Sequence, residues 1–192
     1  PEKRAGTSGG NALKLVILDR DGVINYDSAE YIKSAREWEP IPGSLEAIAR
    51  LNNAGVTVAV ATNQSAIARG LCDLDDLNAI HQMLRSRLNA VGGHVEVIAF
   101  CQHDPEQDCE CRKPKTGLLR EIRRRTGISL SDAPVIGDSL RDLDAAASVG
   151  ARPVLVRTGK GEDTERHLPV ALAEIAIFDD LAAAVDSLLE PS

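Results

Sequence analysis

Two carboxylates, Asp19 and Asp21, stand two residues apart where the apolar run Leu15-Val16-Ile17-Leu18 stops. Four aliphatic residues bounded by charge read as a strand buried on both faces, of the kind found in the middle of a parallel sheet. Ligands of open α/β sheets bind at the carboxyl ends of the strands, so Asp19 stands where chemistry is usually placed. Gly22 lets the chain turn away sharply, and both carboxylates can then face one site. Two other strand-like runs end in a similar way: Val56–Ala61 leads into Thr62-Asn63-Gln64-Ser65, and Pro134–Gly137 into Asp138. Between these two lies Arg112-Lys113-Pro114. Together these groups suit phosphoryl transfer. A carboxylate can attack phosphorus, and a second can protonate a leaving oxygen and later activate water. Thr62 and Asn63 can donate to phosphoryl oxygens, while Arg112 and Lys113 offset charge that builds up in transfer. Mg²⁺ needs one or two carboxylates with phosphate and water, which Asp19 and Asp138 can provide. Asp142 either favours a helix dipole or supports Asp138 from behind.

A second cluster has a different chemistry. Cys101, His103, Cys109 and Cys111 place three thiols and an imidazole within eleven residues. Four such ligands satisfy Zn²⁺ and leave no open position, so a structural zinc is expected, with a disulfide from Cys101 to one of the later pair as the alternative. A zinc-pinned loop would hold the adjoining Arg112 and Lys113 at the phosphate site. Cys72 stands alone and reads as a packing residue. His81 and His167 read as surface or core-edge residues.

The elements that must position these groups follow from periodicity. Strands are expected near 14–19, 56–61, 95–100, 134–137, 153–156 and 175–178. Helices are expected near 44–54, capped by Ser44, near 74–91, capped by Asp73, from Thr116 to Gly127, near 139–149 and near 180–189. Strand and helix alternate throughout, which predicts an α/β fold with a doubly wound, mostly parallel sheet, helices on both faces and right-handed crossovers. Residues 26–42 form a long loop with Tyr31 and Trp38, expected to cover the pocket. Residues 1–10 read as a disordered or added tail, leaving 11–192 as a single domain with the metal loop at 101–111.

The chain has 192 residues, 43% hydrophobic and 27% charged, with a net charge of −7. That length fits one domain with a sizeable core. The acidic balance argues against a nucleic-acid surface, and an anionic substrate would need local Arg and Lys to overcome it. There is no apolar run of membrane-span length and no visible secretory signal, so a cytoplasmic monomer without membrane partners is expected.

The string Asp19-Arg20-Asp21-Gly22-Val23 resembles the first motif of the haloacid-dehalogenase superfamily, and Thr62, Arg112-Lys113 and Gly137-Asp138 match its later motifs in order, over about residues 14–160. Residues 62–70 and 109–114 are more specific and resemble the D-glycero-D-manno-heptose-1,7-bisphosphate 7-phosphatase family. The resemblance implies Asp19 as nucleophile, Asp21 as general acid/base, and Mg²⁺ on Asp19, Asp138 and the Asp21 backbone carbonyl. It implies no large cap domain. It also implies a small sugar phosphate as substrate, bound by Asn63, Gln64, Ser65, Arg69, Asp27 and Tyr31, for nucleotide-activated heptose and lipopolysaccharide synthesis. One position departs from the pattern: Ser139 stands where the family often has Lys. Arg69, Arg141 or Arg157 is expected to supply the missing cation. The competing readings are a histidinol-phosphate phosphatase, which shares the zinc pattern, and a zinc-stabilised binding module without enzymatic activity.

Overall fold

Successive side chains of a strand point to opposite faces of its sheet, and here both faces are covered. In β1 (Leu15–Leu18), Val16 and Leu18 join one hydrophobic cluster while Leu15 and Ile17 join another. β2 (Thr57–Asn63) divides Val58 and Val60 from Ala59 and Ala61 in the same way. The computed structural model describes residues 13–190, so the tail expected at 1–10 lies outside the described residues. With β3 (Val97–Cys101), β4 (Pro134–Gly137), β5 (Arg152–Val156) and β6 (Ala176–Phe178), the strands form one sheet in the order β3-β2-β1-β4-β5-β6. Every pairing is parallel.

Helices α1 (Ser44–Asn53), α2 (Leu74–Ala90) and α6 (Leu181–Leu189) cover one face through Leu45, Ile48, Ile80, Leu84, Leu181 and Val185. Helices α3 (Gly117–Thr126) and α4 (Leu140–Ala147) cover the other through Leu118, Leu119, Ile122, Ala145 and Ala146. Among the described residues no separate cap interrupts the sheet. The chain runs outward from β1 in both directions, which opens a crevice beyond the carboxyl ends of β1 and β4. The Asp19 amide donates to the Ile136 carbonyl at 2.9 Å, locking the end of β1 to β4.

Three local expectations change. Gly43, with φ 80°, occupies the N-cap of α1, and the Ser44 hydroxyl instead donates to the Ile24 carbonyl at 2.7 Å. Helix α5 (Gly161–Arg166) had no apolar period to announce it. His81 is buried on α2 against Phe100, their ring centroids 5.8 Å apart. Asp73 does cap α2, in a reciprocal capping box with Asp76.

Candidate active site

Asp19, Asp21, Asp27, Tyr31, Thr62, Asn63, Gln64, Ser65, Arg69, Arg112, Lys113 and Asp138 all line one cavity of about 420 Å³ at the carboxyl ends of β1, β2 and β4. Asp19 Oδ1 accepts the Arg20 backbone N–H at 2.7 Å and pairs with Lys113 Nζ at 3.0 Å. Its other oxygen has no hydrogen-bond partner among the described residues. Burial is the main force pushing the Asp19 carboxyl up to about 7; Lys113 opposes it, while Asp142, Asp138 and Asp21 add to it.

Lys113 is buried and fully engaged. Its ammonium donates to the Ala61 carbonyl at 2.6 Å and pairs with Asp142 at 2.5 Å as well as with Asp19. Burial alone would lower its pKa, yet the two carboxylates raise it. Asp142 receives the Ser139 amide and hydroxyl on its other oxygen, at 3.1 and 2.6 Å. Asp142 therefore holds Lys113, a role neither sequence reading had given it, and the hydroxyl of Ser139, which also lines the cavity, is spent on Asp142.

Two residues expected to meet substrate through their side chains are occupied by protein groups. Asn63 clamps the backbone of Lys113, donating to its carbonyl and accepting its N–H, both at 3.1 Å. Gln64 donates to Asp21 and to the Thr62 hydroxyl oxygen, each at 2.8 Å. The clamp adds to the cysteine loop expected to hold both cations, since Lys113 is also fixed from β2.

Asp138 enters a cradle built by two glycines. A Cβ on Gly22, with φ 82°, would lie 2.1 Å from Asp138 Oδ2, and one on Gly159, with φ 60°, 2.2 Å from the same oxygen. The Lys160 amide donates to that oxygen at 2.9 Å. Burial and the Asp142 charge push the Asp138 carboxyl up to about 6, against the Lys160 N–H. Oxygens of Asp19, Asp138 and Asp142 can lie within 4.8 Å of one another. This hard-oxygen set of three carboxylates, only two of them paired with Lys113, suits a divalent ion such as Mg²⁺.

The Cys101, His103, Cys109 and Cys111 ligand atoms also come together. Sulfur–sulfur separations are 3.5, 3.2 and 3.4 Å, and the His103 Nδ1 lies 3.6 and 3.3 Å from the Cys101 and Cys111 sulfurs. The thiols are free rather than bridged. Such edges suit a tetrahedral ion with metal–sulfur bonds of about 2.3 Å. Arg112 Nη1 donates to the His103 carbonyl at 3.1 Å, which ties this cation to the metal loop.

At the mouth, Arg112, Arg141 and Lys160 converge. Burial, then the charge of Arg141, depress the Arg112 pKa. Lys160 pairs with Asp27 at 2.6 Å across the opening, and Arg69 stands 6.0 Å from the Tyr31 ring. Arg157 is not part of the site: it pairs with Glu165 and Asp179, both at 2.7 Å. Lys160 was unreadable as a site residue because its approach to Asp27 depends on tertiary packing.

The chain matches two family models, polynucleotide kinase 3 phosphatase over residues 14–139 and HAD-hydrolase-like over residues 110–184. It is 55% identical to the D-glycero-β-D-manno-heptose-1,7-bisphosphate 7-phosphatase of Pseudomonas putida over 178 residues, covering 92% of this chain and 100% of that protein. The corresponding protein of Bordetella bronchiseptica is 49% identical over 180 residues, 93% of this chain and 99% of its own length. The chain belongs to the D-glycero-β-D-manno-heptose-1,7-bisphosphate 7-phosphatase family, within the haloacid-dehalogenase superfamily. It is a phosphoric monoester hydrolase. A crystal structure of the Bordetella phosphatase, complexed with magnesium and phosphate, superposes with a TM-score of 0.89 over 94% of this chain and 100% of that one. The Burkholderia thailandensis phosphatase gives 0.72 at 45% identity, over 93% and 99%. No helix among the described residues is long and apolar enough to cross a membrane.

In this phosphatase the raised carboxyls make a pH-dependent prediction. The folded-state values of about 7 for Asp19 and about 6 for Asp138 exceed the ordinary carboxylate value. Their contribution to metal-free stability is full below about pH 4 and lost as pH rises through 6 and 7. A divalent ion needs the ionised forms. The rise in Tm on adding magnesium should be small near about pH 5 and grow to a plateau near about pH 8. A rise that is the same at both pH values, read by scanning fluorimetry, would exclude these two carboxylates as the ligands.

Proposed function

We propose that this phosphatase removes the 7-phosphate of D-glycero-D-manno-heptose 1,7-bisphosphate through an aspartyl phosphate, in the synthesis of nucleotide-activated heptose for lipopolysaccharide. The observation that carries the bisphosphate reading is the trio Arg112, Arg141 and Lys160 at the mouth, separate from the fully paired Lys113 on the floor. Cations that crowd one another, as Arg112 and Arg141 do, make an anion site in an otherwise acidic protein. One phosphate at the floor and a second at the mouth use both sets.

The unpaired oxygen of Asp19 attacks phosphorus, and the bond from phosphorus to the C7 oxygen breaks. Asp21, which must take up a proton before this step, gives it to that oxygen. Water then attacks the phosphoryl group while Asp21 takes its proton; the bond to Asp19 breaks and phosphate leaves. The Thr62 hydroxyl, Ser65 and Lys113 hold the phosphoryl oxygens or offset their charge. Magnesium, held by Asp19, Asp138 and the Asp21 carbonyl, supplies further charge neutralisation when bound. Asp27, Tyr31 and Arg69 flank the sugar.

A panel of both anomers of the bisphosphate, a heptose monophosphate and histidinol phosphate tests the reading. The bisphosphate should give the highest kcat/KM, and Arg141→Ala should raise its KM by about tenfold while leaving monophosphate turnover unchanged, as expected for one charged hydrogen bond. Preference for histidinol phosphate would sink it.

The four cysteine and histidine ligands are read here as a structural zinc site. Elemental analysis should find about one zinc per chain. In Cys109→Ser zinc should be lost and Tm should fall. Arg112 depends on the loop through the His103 carbonyl, whereas Lys113 is clamped by Asn63. KM for the bisphosphate should therefore rise with kcat nearly kept. A fall in kcat at unchanged KM would show that the loop positions the floor of the site instead.

A further inference from the structure

Arg20, the residue between the two catalytic carboxylates, is wholly buried and among the largest such side chains in the protein. Burying a guanidinium is expensive, and an apolar residue of similar volume often serves stability as well or better. Its contacts give it another purpose. Nε and Nη2 donate to Asp21 Oδ1 at 3.0 and 2.9 Å, and Nη2 reaches Oδ2 at 2.9 Å. Nη2 also donates to the Gln64 side-chain carbonyl at 3.1 Å.

That last bond decides the polarity of its neighbours. A guanidinium can only donate, so the atom of Gln64 facing it must be the carbonyl oxygen. The amide nitrogen must then face Asp21 Oδ2 and the Thr62 oxygen. Thr62 thus receives a hydrogen bond on its oxygen, which leaves its own proton to donate toward the cavity. Asn25 completes the cage on Asp21 Oδ1 at 2.9 Å. Burial would raise the Asp21 pKa, but Arg20 and the amides together lower it. His81 does not compete as a proton carrier: burial, then the Arg20 charge, lower its pKa to about 4.

We infer that Arg20 and Gln64 are positioning residues of the reaction, a buried relay that fixes the plane of the Asp21 carboxylate and turns the Thr62 hydroxyl proton toward the transferring phosphoryl group. The inference rests on the proposed role of Asp21 as proton donor to the leaving oxygen.

Leaving-group dependence separates positioning from mere support. An alkyl oxygen needs a proton as it departs, whereas p-nitrophenolate leaves without one. kcat/KM should be measured with the alkyl phosphate the enzyme turns over best and with p-nitrophenyl phosphate, for Asp21→Asn, Gln64→Met and Arg20→Lys. Arg20→Lys keeps a cation but not the fork that spans three acceptors. Gln64→Met keeps bulk without donors and serves if the Arg20 variant folds poorly. Each should lose roughly a hundredfold on the alkyl substrate and less than about tenfold on the aryl one, with Asp21→Asn the most selective. If Asp21→Asn discriminates and folded Gln64→Met and Arg20→Lys lose both activities equally, or neither, the relay is overturned. If Asp21→Asn itself fails to discriminate, the proton-donor role fails and the inference falls with it.

Discussion

Asp19→Asn should abolish turnover while raising the melting temperature of the metal-free protein near neutral pH. The two effects have one cause. Asp19 lies half-buried among Asp21, Asp138 and Asp142, and its carboxyl is pushed up to about 7, chiefly by desolvation. Ionising it there costs stability, which the neutral amide avoids. In the proposed mechanism the same ionised oxygen is the attacking group, and an amide in its place cannot form the acyl phosphate. Loss of a nucleophile from a concerted site typically costs on the order of 10⁴- to 10⁶-fold in kcat. Phosphate release should fall to background, no phosphorylated protein should be trapped by mass spectrometry, and magnesium should stabilise the variant less than wild type. Substantial magnesium-dependent turnover in a folded Asp19→Asn protein would remove Asp19 from the role.

The parts of this site that were legible in the sequence are those fixed by strand ends. Asp19 and Asp138 follow buried apolar runs and Thr62 stands near the end of another, and a parallel sheet brings such ends together whatever the loops do. The Cys101–Cys111 cluster was legible because metal ligands close in sequence need little tertiary help to meet. What stayed hidden depends on contacts between distant elements. Lys160 reaches Asp27 from the start of α5, a helix whose Gly-Glu-Asp-Thr-Glu-Arg sequence has no apolar stripe. That helix is held by the Thr164 hydroxyl on the Asp138 carbonyl at 2.8 Å. Asn63 and Gln64 look like substrate ligands by type and place, and only geometry shows their amides spent on Lys113, Asp21 and Thr62. Asp142 reads as a helix-dipole carboxylate until Lys113 is seen against it.

Lys113 and Asp142 yield the second large effect. In Lys113→Met two buried carboxylates lose their shared cation, and breaking a buried pair from one side costs about 3–5 kcal/mol. The protein can escape part of that cost by protonating Asp19. Lys113 is the opposing influence on the Asp19 carboxyl, so without it that pKa moves above its present value of about 7. In the metal-free protein at neutral pH Asp19 is then more protonated than in wild type, and the positive charge that would meet the phosphoryl group is gone. The second loss alone is worth roughly 10²- to 10³-fold, by comparison with the removal of one oxyanion donor. Activity should fall by at least that factor, and what remains should climb with pH beyond the range where wild type has levelled off. Stability should move the other way, with the deficit shrinking as pH falls and Asp19 takes up a proton. Adding Asp142→Asn removes one of the stranded charges. The double variant should recover much of the lost melting temperature and little of the lost kcat, because removing the Asp142 charge does not restore that of Lys113. Recovery of activity along with stability would mean that Lys113 acts only as a structural counter-ion.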